Sequence, residues 1–527
     1  MRLLPLTKGL PGWKSALLAL LSAVLLILAF PDFDYWFLAW FALVPLMWAV
    51  EREKESTSRS FALGWIFGTV FFFGTCWWLT YAPITYAGFP PLLACFLLFC
   101  VCLVAGLFPA MFAAVLSVLV RRFGSIAFLA APFVWVFAEF LRFWITGNNW
   151  NALGYSQAFS SWMFPRVDIG GVYLASFLPI FVSASLLFFV GLGSSGSKRR
   201  LNITAGTVFL AVIALPPALT RVQQDTRGEW DFKQSISPEK VVVVQPNVPM
   251  SGLTVGKWNE MRQRHLRLAE SGLQKLTTDH RRPTTVIFPE SPMNFMYETD
   301  RETRDFIDGF ARKNNVAVLF NSAEPDAPNG KFYNSAVMVG PQGGEVAQYD
   351  KIYLLPFGEA VPFPLEGLLP GFVGNFSYGR EYDLLPLGDA RAGVMICFES
   401  HFGALSREYV RNGADAIIEM TNDGYLGPTP VLRQHLANAV FRAVETNRPV
   451  LRVTNVGITA YINEKGEVLD AAPVYQTDTR VWSVAKSDGS QTFYVKYGDW
   501  FAWMCSIVTL GLLAFAVGFR SPKVTNL

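Results

Sequence analysis

The chain is expected to fold as a polytopic α-helical membrane domain of eight spans joined to an α/β domain held outside the cytoplasm. Three observations lead to that class. Hydrophobic residues make up 52% of the 527 residues and aromatics 15%, against 16% charged, a balance too apolar for a soluble globule. Apolar runs close to span length crowd both ends. Between them, residues 241–495 switch to short β-branched runs alternating with polar, helically spaced stretches, the pattern of an α/β layered fold.

Seven apolar runs precede the polar region, at 15–30, 35–50, 61–81, 91–120, 126–145, 171–190 and 203–219, and an eighth, 501–519, closes the chain. A helix needs about 20 apolar residues to cross the hydrocarbon, so the first two are short for the task. The first is read as a span rather than a cleaved leader, because Pro31-Asp32-Phe33 and a second apolar run follow it directly. Basic residues fall in alternate loops: Arg2, Lys8 and Lys14 before the first run, Arg52, Lys54 and Arg59 after the second, Arg121 and Arg122 after the fourth. Lys198, Arg199 and Arg200 follow the sixth, and Arg520 and Lys523 follow the last. Basic loops stay in the cytoplasm, so both termini are expected there and the polar region on the far side, in a bacterium the periplasmic face of the inner membrane. The expected partition is 1–219 for the seven-span domain, 220–240 for a polar linker, 241–495 for the α/β domain and 496–527 for the last span and a cytoplasmic tail.

Composition also excludes. A net charge of +3 leaves no electrostatic footprint for nucleic acid. Cys76, Cys95, Cys100, Cys102 and Cys505 lie in apolar runs and read as packing residues. Cys100 and Cys102 have no companion at a metal spacing, and no residue demands a metal or an organic cofactor. Glu139 and Arg142 stand three apart in the fifth run. An ionisable residue inside a span is a functional candidate by default; a self-neutralising i,i+3 ion pair is the plainer reading and the one expected.

Along the polar region, 241–245 reads as a β-branched strand, 258–276 as a helix, and 285–288 as a short buried strand ending at Pro289-Glu290. A helix at 301–313 and a strand at 316–320 follow. Residues 335–339 and 345–349 flank Gly-Pro-Gln-Gly-Gly, a hairpin signal. Strand 391–396 runs into Cys397, with a helix after it to 410. Strand 416–420, helix 430–446 and closing strands at 450–453, 459–462 and 468 complete the domain.

Three residues at the ends of apolar runs carry the chemistry. Cys397, in VMICFES, is the single thiol of the polar region. At a strand-to-helix junction, or beside a cation such as Lys351, its pKa is expected to fall and make it a nucleophile; a buried structural Cys is the ordinary alternative. Glu290, in FPES, becomes a general base near neutrality if burial raises its pKa; an exposed or capping carboxylate is the alternative. Lys351, in YDKIYLLPFGE, is placed to stabilise an oxyanion; a solvated lysine is the alternative. Glu359 and Glu399 are expected to orient Lys351 or hold a proton, with surface ion pairs as the bland reading. No GxSxG, phosphate loop or zinc spacing occurs. A Cys–His pair with His401 is a minor option, because four residues past the Cys it is carried into the following helix.

FPES, YDKIYLLPFGE and CFES, in that order, resemble the Glu–Lys–Cys segments of the nitrilase, or carbon–nitrogen hydrolase, superfamily. Framed by seven N-terminal spans and one C-terminal span, they resemble in particular the apolipoprotein N-acyltransferase family, with LLPFGEAVPFP the strongest single piece. The resemblance implies an αββα sandwich and a two-step acyl transfer. Cys397 would take the sn-1 acyl chain of a phospholipid, typically phosphatidylethanolamine, as a thioester. The α-amine of the S-diacylglyceryl cysteine at an apolipoprotein N-terminus would then accept it. Glu290 would be base, then acid; Lys351 would stabilise the tetrahedral intermediates; Glu359, Glu399 and Trp258 match supporting positions. On its own, Trp258 reads as a helix-face packing residue.

Two positions depart from the family pattern. Phe398 stands where Tyr commonly follows the nucleophile, so a phenol is lost. In the loop that the family writes NDAWFG, this chain has Asn422-Asp423-Gly424-Tyr425-Leu426-Gly427, so Tyr425 replaces a Trp expected to meet lipid. The apolar stretch 365–376, LEGLLPGFVGNF, reads as a lid with glycine hinges, and Leu368, Leu369 and Phe372 are its candidate lipid contacts; an arm packed on the domain is the alternative. A monomer is expected, since the spans hinder the assembly common among soluble nitrilases. Two other functions stay open on the residues alone: a membrane-tethered amidase for a small periplasmic substrate, and a non-catalytic membrane protein using Cys397 as a redox or scaffold element.

Overall fold

The computed structural model describes residues 10–160, 166–190, 239–276, 285–293, 295–356, 358–361 and 376–518. The run at 203–219, nearly all of the 220–240 linker, and Leu368, Leu369 and Phe372 lie outside these residues. The chain divides into two compact units, Met1–Arg227 with Asp499–Leu527, and Gly228–Gly498.

The first unit is helical. Among the described residues, Thr57–Thr85, Pro91–Thr146, Val167–Phe189 and Trp500–Gly518 are long and apolar enough to cross a membrane, and Trp13–Ala29 is a shorter apolar helix. Two expectations change. The 35–50 run is a 3₁₀ turn, Trp36–Trp40, followed by a ten-residue helix, Val44–Glu53, with proline in its first turn. Ten residues rise only about 15 Å against hydrocarbon about 30 Å thick. The 91–120 run breaks at Gly106 into Pro91–Ala105 and Leu107–Phe123. The break sits where the Thr57–Cys76 helix comes closest: a Cβ on Gly64 would lie 2.3 Å from the Pro109 carbonyl oxygen, and one on Gly68 2.9 Å from the Gly106 Cα. This Gly-Trp-Ile-Phe-Gly spacing lets two helices touch backbone to backbone, the usual device where lipid supplies no hydrophobic drive.

Glu139 and Arg142, both buried, do not form the expected self-contained ion pair. Glu139 Oε1 accepts from the Trp135 indole (2.8 Å) and the Leu153 N–H (2.7 Å). Arg142 donates to the Trp150 carbonyl (2.9 Å) and Asn149 Oδ1 (3.0 Å). Each charge therefore anchors the loop after its helix, whose backbone groups need partners where water is scarce.

The second unit holds two six-stranded sheets. One has the order β12-β1-β2-β3-β4-β5, from β1 (Glu239–Gln245), β2 (Thr285–Ile287), β3 (Ala317–Asp326), β4 (Lys331–Val339), β5 (Glu345–Asp350) and β12 (Asp478–Val484). The other has the order β11-β10-β9-β8-β7-β6, from β6 (Leu384–Leu387), β7 (Ala390–Ile396), β8 (Ala416–Thr421), β9 (Val450–Thr454), β10 (Ala460–Ile462) and β11 (Val468–Leu469). β1, β2 and β3 run parallel, as do β7, β8 and β9. Strands buried on both faces carry unbroken apolar runs, as Val241–Val244 do. Helices cover the outer faces: Val255–Leu276 and Arg301–Asn314 on the first sheet, Gly403–Arg411 and Val431–Thr446 on the second. The layers are α-β-β-α, with the sheets meeting where β1 faces β9 and β5 faces β6.

Candidate active site

Each candidate chemical residue leaves the carboxyl end of a strand, and the two sheets supply different parts. Glu290 follows β2, Lys351 follows β5 and Cys397 follows β7.

Glu290 is partly exposed as a residue with its carboxyl turned inward. Oε1 accepts from Asn334 Nδ2 at 3.3 Å and Oε2 from the Asn422 N–H at 3.1 Å. Burial raises its pKa above the usual carboxylate range; Lys351 pulls it down, Glu359 pushes it up, and the Asn334 amide and the nearby Cys397 thiol oppose the rise. Lys351 is 1% exposed and its Nζ lies 2.9 Å from both Glu359 oxygens. Burial alone would lower its pKa, but Glu359 and Glu290 outweigh that and hold it above the usual lysine value. Glu359 also accepts from Asn334 Nδ2 (2.6 Å) and the Leu355 N–H (2.7 Å). Burial works against its charge, yet Lys351 keeps its pKa below normal. The Lys351 backbone is pinned by Asn334 O and the Gly379 N–H. A Cβ at Gly379 would stand 1.9 Å from the Asp350 carbonyl oxygen, so only glycine admits this approach.

Cys397 opens a 3₁₀ turn, Cys397–His401, with φ +52°, a left-handed conformation that costs a non-glycine residue about 1–3 kcal/mol. Glu399, fully buried, holds the turn: Oε2 accepts from the Ile396 N–H (2.9 Å), and Oε1 from the Ile352 N–H (2.7 Å), the Tyr353 N–H (3.0 Å) and the Tyr349 hydroxyl (2.7 Å). It thus ties the Cys397 turn to the Lys351 loop through backbone, rather than touching the ammonium. Burial raises its pKa to about 7 against the pull of Lys351 and those donors. The strand-to-turn placement of Cys397 agrees with expectation; the lowered thiol pKa does not. Burial and the neighbouring Glu290 push the thiol well above its usual range, and Lys351 only partly opposes them.

The remaining candidates separate. Phe398 is buried against the rings of His401 and Phe402, so it serves packing. Trp258 is half-buried on the core side of the Val255–Leu276 helix. Tyr425 is 50% exposed on the Asp423–Leu426 turn, next to the residue that bonds Glu290. The histidine that meets Cys397 is His435 rather than His401, and it meets the carbonyl oxygen, at 3.0 Å. Asn334, Asn422 and His435 escaped the sequence reading. Asn422 alone left a trace, as the first residue of the loop that departs from the family pattern.

Two sheets between helices, with a carboxylate, an ammonium and a thiol converging from strand ends, describe a carbon–nitrogen hydrolase domain, and residues 257–492 match the family described as Carbon-nitrogen hydrolase. Residues 22–185 match the Apolipoprotein N-acyltransferase N-terminal domain. An apolipoprotein N-acyltransferase of Geobacter metallireducens is 31% identical over 97% of this chain and 96% of its own. Those of Thermotoga maritima (30%, covering 95% and 93%) and Haemophilus influenzae (26%, covering 94% and 93%) are similar over comparable lengths. The chain belongs to the apolipoprotein N-acyltransferase family. An amidase structure from Nesterenkonia sp. is 16% identical, with a TM-score of 0.37 over 50% of this chain and 98% of that one.

Proposed function

We propose that the protein transfers an acyl chain from the sn-1 position of a phospholipid, through a Cys397 thioester, to the α-amino group of the N-terminal S-diacylglyceryl cysteine of apolipoproteins. The observation that carries this reading is the charge arrangement around the thiol: a carboxyl raised by burial beside it, and a lysine held cationic between two carboxylates.

Glu290 takes the Sγ proton as sulfur attacks the ester carbonyl carbon. The carbonyl electron pair moves to oxygen, where the Lys351 ammonium stabilises it. Collapse breaks the carbon–oxygen bond, and Glu290 hands its proton to the departing sn-1 oxygen of the lysophospholipid. In the second half the amine attacks the thioester carbon, Glu290 removes an amine proton, and collapse returns the electron pair to sulfur, which takes that proton back. Because the thiol starts neutral, activation comes from the adjacent base rather than from a standing thiolate. Asn334 holds both carboxylates in register for this exchange.

The finer expectations are part of the same proposal. They are phosphatidylethanolamine as donor, a 241–495 domain on the periplasmic face of the inner membrane, and a monomeric enzyme. Tyr425, Leu368, Leu369 and Phe372 are the proposed lipid contacts, whereas Trp258, packed toward the core, is not among them. Intact-mass analysis of the detergent-purified protein after incubation with phosphatidylethanolamine tests the chemistry. A hydroxylamine-labile acyl adduct on the wild type and none on Cys397→Ala supports it. A reactive Cys397 that acquires no acyl group would move the assignment to an amidase or to another donor.

A further inference from the structure

Beneath the nucleophile lies a second buried cluster that the acyl-transfer steps do not use. The Val431–Thr446 helix sends His435 and Arg442, two turns apart and so on one face, toward the carbonyl ends of the Cys397 turn. His435 Nε2 lies 3.0 Å from Cys397 O; Arg442 Nη1 donates to Ser400 O (3.3 Å) and His401 O (3.2 Å). The other His435 nitrogen, Nδ1, lies 2.7 Å from Asp423 Oδ1, and Nε2 is also 3.1 Å from Glu419 Oε1. Each ring nitrogen thus faces oxygen acceptors, and a neutral imidazole has only one N–H to offer. The geometry therefore calls for the imidazolium. Arg452, fully buried on β9, completes the balance with contacts to Glu419 (2.5 Å) and Asp423 (2.8 Å). The residue before Asp423 is Asn422, whose N–H holds Glu290.

We propose that His435 is a positioning residue for the acyl transfer: as a buried imidazolium it clamps the Cys397 carbonyl, holds the left-handed backbone of the nucleophile, and couples it to the turn that supports Glu290. The assignment rests on the proposed transfer reaction for its rate measurements, but not for its geometry. Glu419 from β8, Asp423 from the following turn, Arg452 from β9 and the Cys397 carbonyl are the groups that face the ring. Against burial and the Arg452 charge, Asp423 and Glu419 raise its pKa to about 9.

The test uses the full-length protein in detergent, with phosphatidylethanolamine as donor. Gln at 435 keeps a donor at the reach of Nε2, toward Cys397 O; Asn keeps one only at the reach of Nδ1, toward Asp423. Pairing His435→Gln with Asp423→Asn keeps the buried charges balanced, so that variant folds even if the single ones do not. The acylation rate is expected to fall about 10-fold in the double variant and about 100-fold in His435→Asn, the scale of a misplacement near 1 Å. Donor KM should be unchanged, with a melting temperature for the double variant near that of the wild type. Wild-type acylation is also expected to decline above pH 9 in a limb that the double variant lacks. An Asn variant as fast as wild type, or losses that merely track the unfolded fraction, would overturn the assignment. Iodoacetamide alkylation at Cys397, read by peptide mass, is expected to follow the same order of variants. Should the wild type take no acyl group from phospholipid, the donor reading fails, and this alkylation order alone decides for or against His435.

Discussion

Two buried charge clusters sit a few bonds apart in the α/β unit, and they differ by one cation. In the supporting cluster, two carboxylates, Glu419 and Asp423, meet two cations, His435 and Arg452. Burial works against both carboxylates, yet both are held below their usual pKa. In the reactive cluster, two carboxylates, Glu290 and Glu359, share one cation, Lys351. Glu359 bonds it directly and stays low, while Glu290 is left raised. Burial is common to both, so the missing second cation is what leaves one carboxyl raised. A balanced buried cluster builds structure, and one cation short it builds a proton acceptor.

Removing the raised carboxyl tests this, and the proposed base role with it, most sharply. Glu290→Gln leaves one carboxylate for one cation, so acylation should fall by about 10²–10⁴, while the melting temperature stays equal to or above that of the wild type. A lower melting temperature would mean that Glu290 stabilises the fold and that the site carries no such strain.

The converse change unbalances the other cluster. Arg452→Met leaves Glu419 and Asp423 with His435 alone, and losing one partner of a buried pair costs about 3–5 kcal/mol. Thermal unfolding should show a large drop, with activity per folded molecule declining less. If stability held, the cluster would not be the balanced support described.

The smallest change adds charge to the reactive side. Asn334→Asp removes an amide that bonds Glu290 and Glu359 and places a third acid beside them. Both effects raise the Glu290 pKa. Since Glu290 must be deprotonated to accept the thiol proton, the acid limb of the kcat/KM profile should move to higher pH, by about one unit. A limb moving the other way would mean that another group controls it.

Much of the site was legible because it lies at the ends of apolar strands: Phe288-Pro289-Glu290, Tyr349-Asp350-Lys351 and Ile396-Cys397 each mark the point where a buried run meets polar chemistry. Its supports were not. Asn334 and Glu359 meet across different strands, and Glu399 reaches the 352–353 backbone through a turn. β12 was missed as well, because its place beside β1 depends on a pairing, Glu239 with Val484, between residues at opposite ends of the domain. In the helical unit, hydropathy found the apolar runs but misjudged 35–50. Apolarity reports burial, whereas spanning also requires unbroken helix, and a 3₁₀ turn and a proline interrupt it there.

The sequence by itself determined the class of the chain, the α-β-β-α domain between apolar ends, and the three residues that the fold gathers at strand ends, because periodicity, hydropathy and short motifs are local properties. Only the tertiary structure decided which groups are charged and which are strained. The raised thiol of Cys397, its left-handed backbone and the paired acceptors around His435 all arise from atoms far apart in the chain. Desolvation and Coulomb energy depend on distance in space, to which position along the sequence is blind.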